Sequence, residues 1–560
     1  MKKFLSFMLC ILMIFSGTVV LSTAAENDLV ITVATDLHLD LAASTAEKVA
    51  KKNSVSEVYA HASSGGQLHY ESLAIIKAFL EDAGKNDSSF VLLPGDLSNK
   101  GLAEEHIALA ALLKEFEETY KKEVFVVPGN HDLYKVSLDE FKEYYAEFGY
   151  SQALNQDPDS ASYTADLAEG YMLLAIDSCN PTYSPHGITD KRIDWIEQQC
   201  KEAKAQGKKV IAMLHHNVLE HYILAAKIHT GAVVTKDSMR LADVLANNSV
   251  KVVFTGHTHN HDITSYTSEA GNILYDVVTK SLNEYPCAYR VVTFGENITI
   301  RTDYVRSIDT SLLPSGIHEE ALSLAETNFL KYAKEVNYLG VDMIVRSYAK
   351  ASQLKKILNT DDEVINGVID KAADKLEEVA RMPIYAKDET VEGKSIEAMA
   401  KELGITLPET KFYDLLDIAV TIYIANSVGD ENYAAHSDEM ILFSRVLAVA
   451  INYAFSDVTP EEFTAVLTYV ASLLGADISQ DIINAIGGSI DKFRGCEIFV
   501  TSAVLPLVAK FSDDEAPADS NVTLPGYSAQ AKAEESFLDK IKAFFEKIFN
   551  FFHMIFAMMS

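Results

Sequence analysis

Across residues 28–308, short β-branched apolar runs alternate with longer amphipathic stretches. Residues 30–33, 91–93, 124–127, 172–176, 210–214 and 252–254 are nearly all apolar and too short for helices, which predicts strands buried on both faces. Between them, residues 73–83, 104–121 and 192–206 carry apolar side chains at helical spacing, Trp195 and Ile196 among them. This alternation predicts a layered α/β domain. Residues 273–278 and 289–305 read as closing strands, the last two forming a hairpin about Gly295-Glu296-Asn297.

Beyond Ser307 the strand signals nearly vanish. From Gly316 to about Lys510 apolar residues recur every three or four positions, as in Leu322, Ala325, Phe329 and Ala333. Breaks at residues 358–361, 381–383, 403–404, 429–430 and 475–477 divide this stretch into about six to nine helices. No repeat of fixed period is visible, so a bundle at 308–511 is preferred over a solenoid. Residues 512–536, with Asp513-Asp514-Glu515 and two prolines, have linker composition. Residues 537–560 follow as an amphipathic helix: Ile541, Phe544, Phe545, Ile548, Phe552, Ile555 and Phe556 make one apolar stripe. Its stripe suits either docking on the bundle or lying on a membrane surface.

Composition narrows the partners. The chain has 560 residues, 48 of them Lys or Arg and 80 Asp or Glu, for a net charge of −32. That balance argues against polymeric nucleic acid as a partner. Residues 1–24 carry Lys2 and Lys3, then an apolar stretch and the small residues Ser22-Thr23-Ala24-Ala25, which predicts a signal peptide and a secreted or cell-surface protein. An uncleaved anchor is the alternative. Cys179, Cys200, Cys287 and Cys496 form no C-x-x-C pair and permit three disulfide pairings or free thiols.

Polar residues fall in step with the strands. Asp36-Leu37-His38 follows the first, Gly95-Asp96 the second, Gly129-Asn130-His131-Asp132 the third, His215-His216 the fifth and Gly256-His257-Thr258-His259 the sixth. Each group lies at the carboxyl end of its strand, where a parallel sheet gathers functional groups from distant parts of the chain. Carboxylate, imidazole and amide oxygen together suit two divalent or trivalent first-row ions, manganese, iron or zinc. Any one group alone would be an ordinary turn or a structural histidine. Five in register are not.

The ordered set DLH, GDL, GNHD, HH and GHTH resembles the calcineurin-like metallophosphoesterase superfamily, as does Gly187-Ile188 followed by Trp195. The resemblance spans residues 28–307 and implies a four-layer αββα sandwich, followed here by an all-α domain. It implies that Asp36, His38 and His259 hold one metal, that Asn130, His215 and His257 hold the other, and that Asp96 bridges them. His131 would face the scissile phosphate and assist the leaving group, with Asp132 fixing its ring. The family's His-x-Pro is replaced by His215-His216-Asn217-Val218, and His215 is taken as the ligand. Residues 40–67 form a long insertion placed to cover the site. His61, His69, His221 and His261 are expected to be exposed or supporting residues.

These features favour an exported phosphodiesterase acting on small diesters such as cyclic nucleotides by hydroxide attack. The helical second domain is unlike that of extracellular nucleotidases and resembles that of exported bacterial phosphodiesterase-like members. A phosphomonoesterase or nucleotidase is the alternative within the class. A surface binding protein using the sandwich as scaffold is the alternative outside it, and such a protein would be expected to have lost a ligand or His131.

Overall fold

The computed structural model describes residues 28–51, 56–179, 187–221, 238–386, 395–429, 433–434, 436–473, 483, 492–506, 508 and 516–527. The predicted signal peptide and the 537–560 helix lie outside the described residues. Among the described residues thirteen strands form two sheets. The first sheet contains β1 (Leu29–Val33), β2 (Phe90–Leu93), β3 (Glu123–Val126), β11 (Ala288–Phe294), β12 (Asn297–Tyr304) and β13 (Asn521–Pro525), in the order β13-β12-β11-β1-β2-β3. The second contains β4 (Asn155–Gln156), β5 (Tyr163–Ala168), β6 (Tyr171–Ile176), β7 (Lys209–Leu214), β8 (Val252–Thr255), β9 (Asp262–Thr267) and β10 (Ile273–Val278), in the order β4-β5-β6-β7-β8-β10-β9.

The continuous apolar runs have a simple cause. In β6 and β7, Leu173, Ala175, Ile211 and Met213 enter the core shared with the first sheet. Their alternate neighbours Met172, Leu174, Ile176, Val210, Ala212 and Leu214 enter a second core beneath the helices Asp190–Ala205 and Ser238–Asn247. Strands buried on both faces have no polar face to display. Helices Ser72–Lys85 and Ala103–Tyr120 contribute Ile75, Phe79, Leu109 and Leu113 to the first core, completing the four layers.

β1, β2 and β3 are mutually parallel, as are β6, β7, β8 and β10. Their carboxyl ends meet at one edge of the sandwich, tied together where Leu282 N donates to Thr35 O (3.1 Å) and Ser281 Oγ to Asp36 O (2.8 Å). β5 and β9 have no counterpart among the predicted strands. Asp262–Thr267 lies at a sheet edge and buries only Ile263 of its six residues, so its sequence is largely polar.

Nine helices are described between Glu319 and Phe499; the first two, Glu319–Thr327 and Phe329–Tyr348, bury Ala325, Phe329, Tyr332 and Val336 in the first core, and later ones make a separate core around Ile418, Val446, Phe463 and Phe499. The segment read as a linker is corrected in its described part. Residues 521–525 pair antiparallel with β12, Tyr527 donates its hydroxyl to Val210 O (2.6 Å), and Asp519 O accepts from the fully buried guanidinium of Arg290. Its charged and small residues misled because an edge strand held by backbone bonds needs little apolar surface. Ending the chain at residue 515 should therefore lower the melting temperature of the sandwich, with a cost of about 1.5–3 kcal/mol from the lost hydrogen bond to a buried charge. An unchanged melting temperature would return the segment to a linker.

Candidate metal centre

The strand-end residues converge. His38 Nε2 lies 3.0 Å from His259 Nε2, and Asp36 Oδ1 lies 3.7 and 3.3 Å from the same two nitrogens. On the other side, His215 Nε2 lies 3.1 Å from Asn130 Oδ1, and the His257 ring is 5.1 Å from that of His215. Asp96 stands between the two groups: its Oδ2 is 3.8 Å from His38 Nε2 and 3.3 Å from His215 Nε2. All seven residues taken as ligands from sequence are thus brought together, and His131 joins them with its ring 4.7 Å from that of His38.

The backbone is bent to achieve this. Asp36, His38, Asp96, His257 and His259 all have positive φ, between 43° and 68°, in a chain where only three other described non-glycine residues do. Left-handed backbone costs such residues about 1 kcal/mol or more each, and strain of this kind gathers at functional sites. The motif glycines are there for room. A Cβ on Gly129 would sit 2.2 Å from Asp96 N and Oδ1, and one on Gly256 2.3 Å from Asp36 Oδ2.

The adjacent histidines differ in what their nitrogens meet. His215 directs Nε2 at Asn130 and Asp96 while Nδ1 donates to Pro94 O (3.1 Å), the usual arrangement of a metal-binding imidazole. His216 places Nδ1 on Ser178 Oγ (2.8 Å) and packs its ring 4.3 Å from that of His257.

The donor set fits a pair of cations. Two imidazole nitrogens 3.0 Å apart can share at most one hydrogen, and they face carboxylate oxygens with which no Lys or Arg pairs among the described residues. Burial pushes His38 and His257 down to about 3, as expected of neutral ligands. Burial also acts to lower His215 and His259, but Asp96 raises the first to about 9, and Glu284 with Asp36 raises the second to about 10. The carboxylates therefore draw positive charge into the pocket, which first-row ions with nitrogen and oxygen ligands would supply.

Asp132 requires a correction. It does not touch the His131 ring, whose Nδ1 instead donates to Asn99 O (2.7 Å). The Asp132 carboxylate is fully buried and accepts from Leu97 N (3.2 Å), Ser98 N (2.9 Å), Ser98 Oγ (3.1 Å) and Gly129 N (2.9 Å). It clamps the loops after β2 and β3 together, because the 3₁₀ turn His131–Leu133 points the two neighbouring side chains apart. Asp132→Ala should strand three backbone N–H groups at about 1–3 kcal/mol each and lower the denaturation midpoint accordingly. Normal stability with lost turnover would restore a catalytic role.

Two neighbours escaped sequence reasoning. Glu284 Oε1 accepts from His259 Nδ1 (2.6 Å), while Glu284 Oε2 pairs with buried Lys280 Nζ (2.9 Å), so a carboxylate fixes this ligand's ring. The available signal was its place in the loop after β10, another parallel strand of the same edge. Tyr134, 54% exposed, lays its ring 4.7 Å from that of His131 and accepts from Asn130 Nδ2 (3.3 Å). The other sequence-named histidines lie outside the ligand cluster. His61 meets the Tyr332 hydroxyl (2.9 Å), His69 lies 3.5 Å from Asp40 Oδ2, His221 pairs with Asp262, and His261 meets Thr302 Oγ1 (2.8 Å). His61 and His261 are buried and His69 and His221 partly so, which makes all four supporting residues and none of them exposed. Cys179, Cys200, Cys287 and Cys496 are buried and form no disulfide with one another.

Comparison with known proteins agrees with this geometry. The family model of the calcineurin-like phosphoesterases matches residues 29–261. The 3',5'-cyclic adenosine monophosphate phosphodiesterase CpdA of Haemophilus influenzae is 30% identical over 177 residues, 31% of this chain and 56% of that protein. The chain thus spans little more than half of that relative's length. A probable cyclic nucleotide phosphodiesterase of Rhodococcus erythropolis is 23% identical over 41% of this chain and 70% of its own length. A probable glycerophosphodiester phosphodiesterase GpdQ of Arcobacter nitrofigilis is 26% identical over 36% and 68%. Residues 29–261 are thus similar to the calcineurin-like phosphoesterases, and the motif side chains of that stretch gather at one sandwich edge.

Proposed function

We propose that this chain is an exported two-metal phosphoesterase that hydrolyses small phosphodiesters, cyclic nucleotides or similar compounds. The observation that carries the reading is the convergence of Asp36, His38, Asn130, His215, His257 and His259 around the Asp96 carboxylate, with the His131 ring beside them. A pair of ions held by these residues would polarise the phosphoryl group and generate the nucleophile from water. The chain's own groups supply the rest. Asp96 takes a hydrogen bond from His131 N (2.8 Å), which couples the bridge to the catalytic loop. His131 gives its Nδ1 hydrogen to Asn99 O, so its Nε2 is the nitrogen left to protonate a departing oxygen, and it must do so from the imidazolium.

The diester preference is supported by the names of three relatives, each a phosphodiesterase. Export is supported by residues 1–25 alone. The test is a substrate panel in added manganese, with bis-p-nitrophenyl phosphate, p-nitrophenyl phosphate, cyclic nucleotides and a glycerophosphodiester. Faster turnover of the diesters is expected. Preference for p-nitrophenyl phosphate would favour a phosphomonoesterase, and no hydrolysis at all would favour the scaffold reading.

A further inference from the structure

The helix Phe329–Tyr348 enters the sandwich core with Phe329, Tyr332 and Val336 and meets residues 61–71, the segment that leads to one side of the candidate metal centre. Gly65 N donates to Gly340 O (3.0 Å) in the helix Phe329–Tyr348, and Asn337 Nδ2 donates to Gly66 O (3.3 Å). The approach is so close that a Cβ on Gly340 would lie 2.3 Å from Gly66 N and 2.4 Å from Ser63 O. Two residues on, Gln67 bridges Glu284, and Leu68 N donates to Asn283 O (2.9 Å). Asn283 Nδ2 in turn reaches His38 O (3.4 Å), and Glu284 holds the His259 ring. A second seam runs beside the first, where the buried Tyr332 hydroxyl meets both His61 and Glu71. From the helix Leu415–Val428 comes a third: Gly429, just past its end, stands where a Cβ would lie 2.4 Å from His261 O, two residues after His259.

We propose that the helical domain is a positioning element of the metal centre, holding the Asn283–Glu284 turn against His38 and His259 through residues 63–68. The insertion expected to cover the site acts, in this account, as the connector between the two domains. The inference rests on the two-metal reading above, but its test reads metal binding and not turnover, so failure of one is distinguishable from failure of the other. Only the site built from Asp36, His38 and His259 faces the turn. The site of Asn130, His215 and His257 is held by Pro94 and the β3 loop instead.

The experiment is a manganese titration of the full chain by calorimetry, with electron paramagnetic resonance to resolve the two binding steps. Glu284→Gln and Gly340→Val should each weaken one step by about tenfold to a hundredfold, the usual effect of losing a group that orients a metal-binding histidine, and leave the other within about twofold. Asn337→Ala, which adds no bulk, should show the same selectivity in smaller measure and serves if Gly340→Val does not fold. Equal weakening of both steps, or a Gly340→Val or Asn337→Ala protein that binds both ions like the wild type, would overturn the proposal. So would a Glu284→Gln protein without selectivity.

Discussion

Asp96→Asn is expected to leave less than one ion per chain where the wild type holds two, and to cut phosphoesterase turnover by about 10³-fold or more. Asparagine is the informative replacement because Asp96 has φ 49°, a backbone that asparagine tolerates better than alanine. The amide oxygen can still accept from His131 N, now 2.8 Å from Asp96 Oδ1, so the catalytic loop keeps its anchor. What is lost is the negative charge that lies within 4 Å of both His38 and His215. Replacing a ligand on one side only, as in His257→Ala, should cost one ion. Metal analysis showing two ions bound to Asp96→Asn would remove its bridging role.

The second large effect separates chemistry from binding. His131→Ala should keep both ions and the fold, because the ring's Nδ1 is committed to Asn99 O and, although the ring stands close to His38 and Asp96, the cluster of Asp36, His38 and His259 remains on that side. Turnover of a cyclic nucleotide should fall by a factor on the order of 10² to 10⁴ if His131 protonates the leaving oxygen. The deficit should shrink for bis-p-nitrophenyl phosphate, since a nitrophenolate departs with little protonation whereas a ribose oxygen needs much. Equal deficits would mean that His131 only positions the phosphate. Full activity would contradict the role.

The convergence of the candidate ligands was legible in sequence because each member sits at the end of a buried strand, where a polar residue after an apolar run stands out. The αββα sandwich was legible for the same reason, through runs buried on two faces. Positions defined by side-chain geometry were not. Asp132 was misassigned because adjacency in sequence suggested contact with His131, while a 3₁₀ turn separates the two side chains. Glu284 was passed over because it belongs to no motif and acts through His259. β13 was hidden because it follows the helical domain by sequence but returns to β12, 217 residues after β12 ends at Tyr304 and β13 begins at Asn521. Local pattern carries no information about so distant a pairing. The docking of Gly340 on Gly66 is likewise a contact of two backbones, and no side-chain periodicity announces it.

The central claim is that one carboxylate joins two ion sites at the sandwich edge. Metal analysis of the purified chain after saturation with manganese and removal of free ion tests it most directly. Two ions per chain are expected, with both lost together from Asp96→Asn. A single ion in the wild type, or two ions that survive in Asp96→Asn, would contradict it.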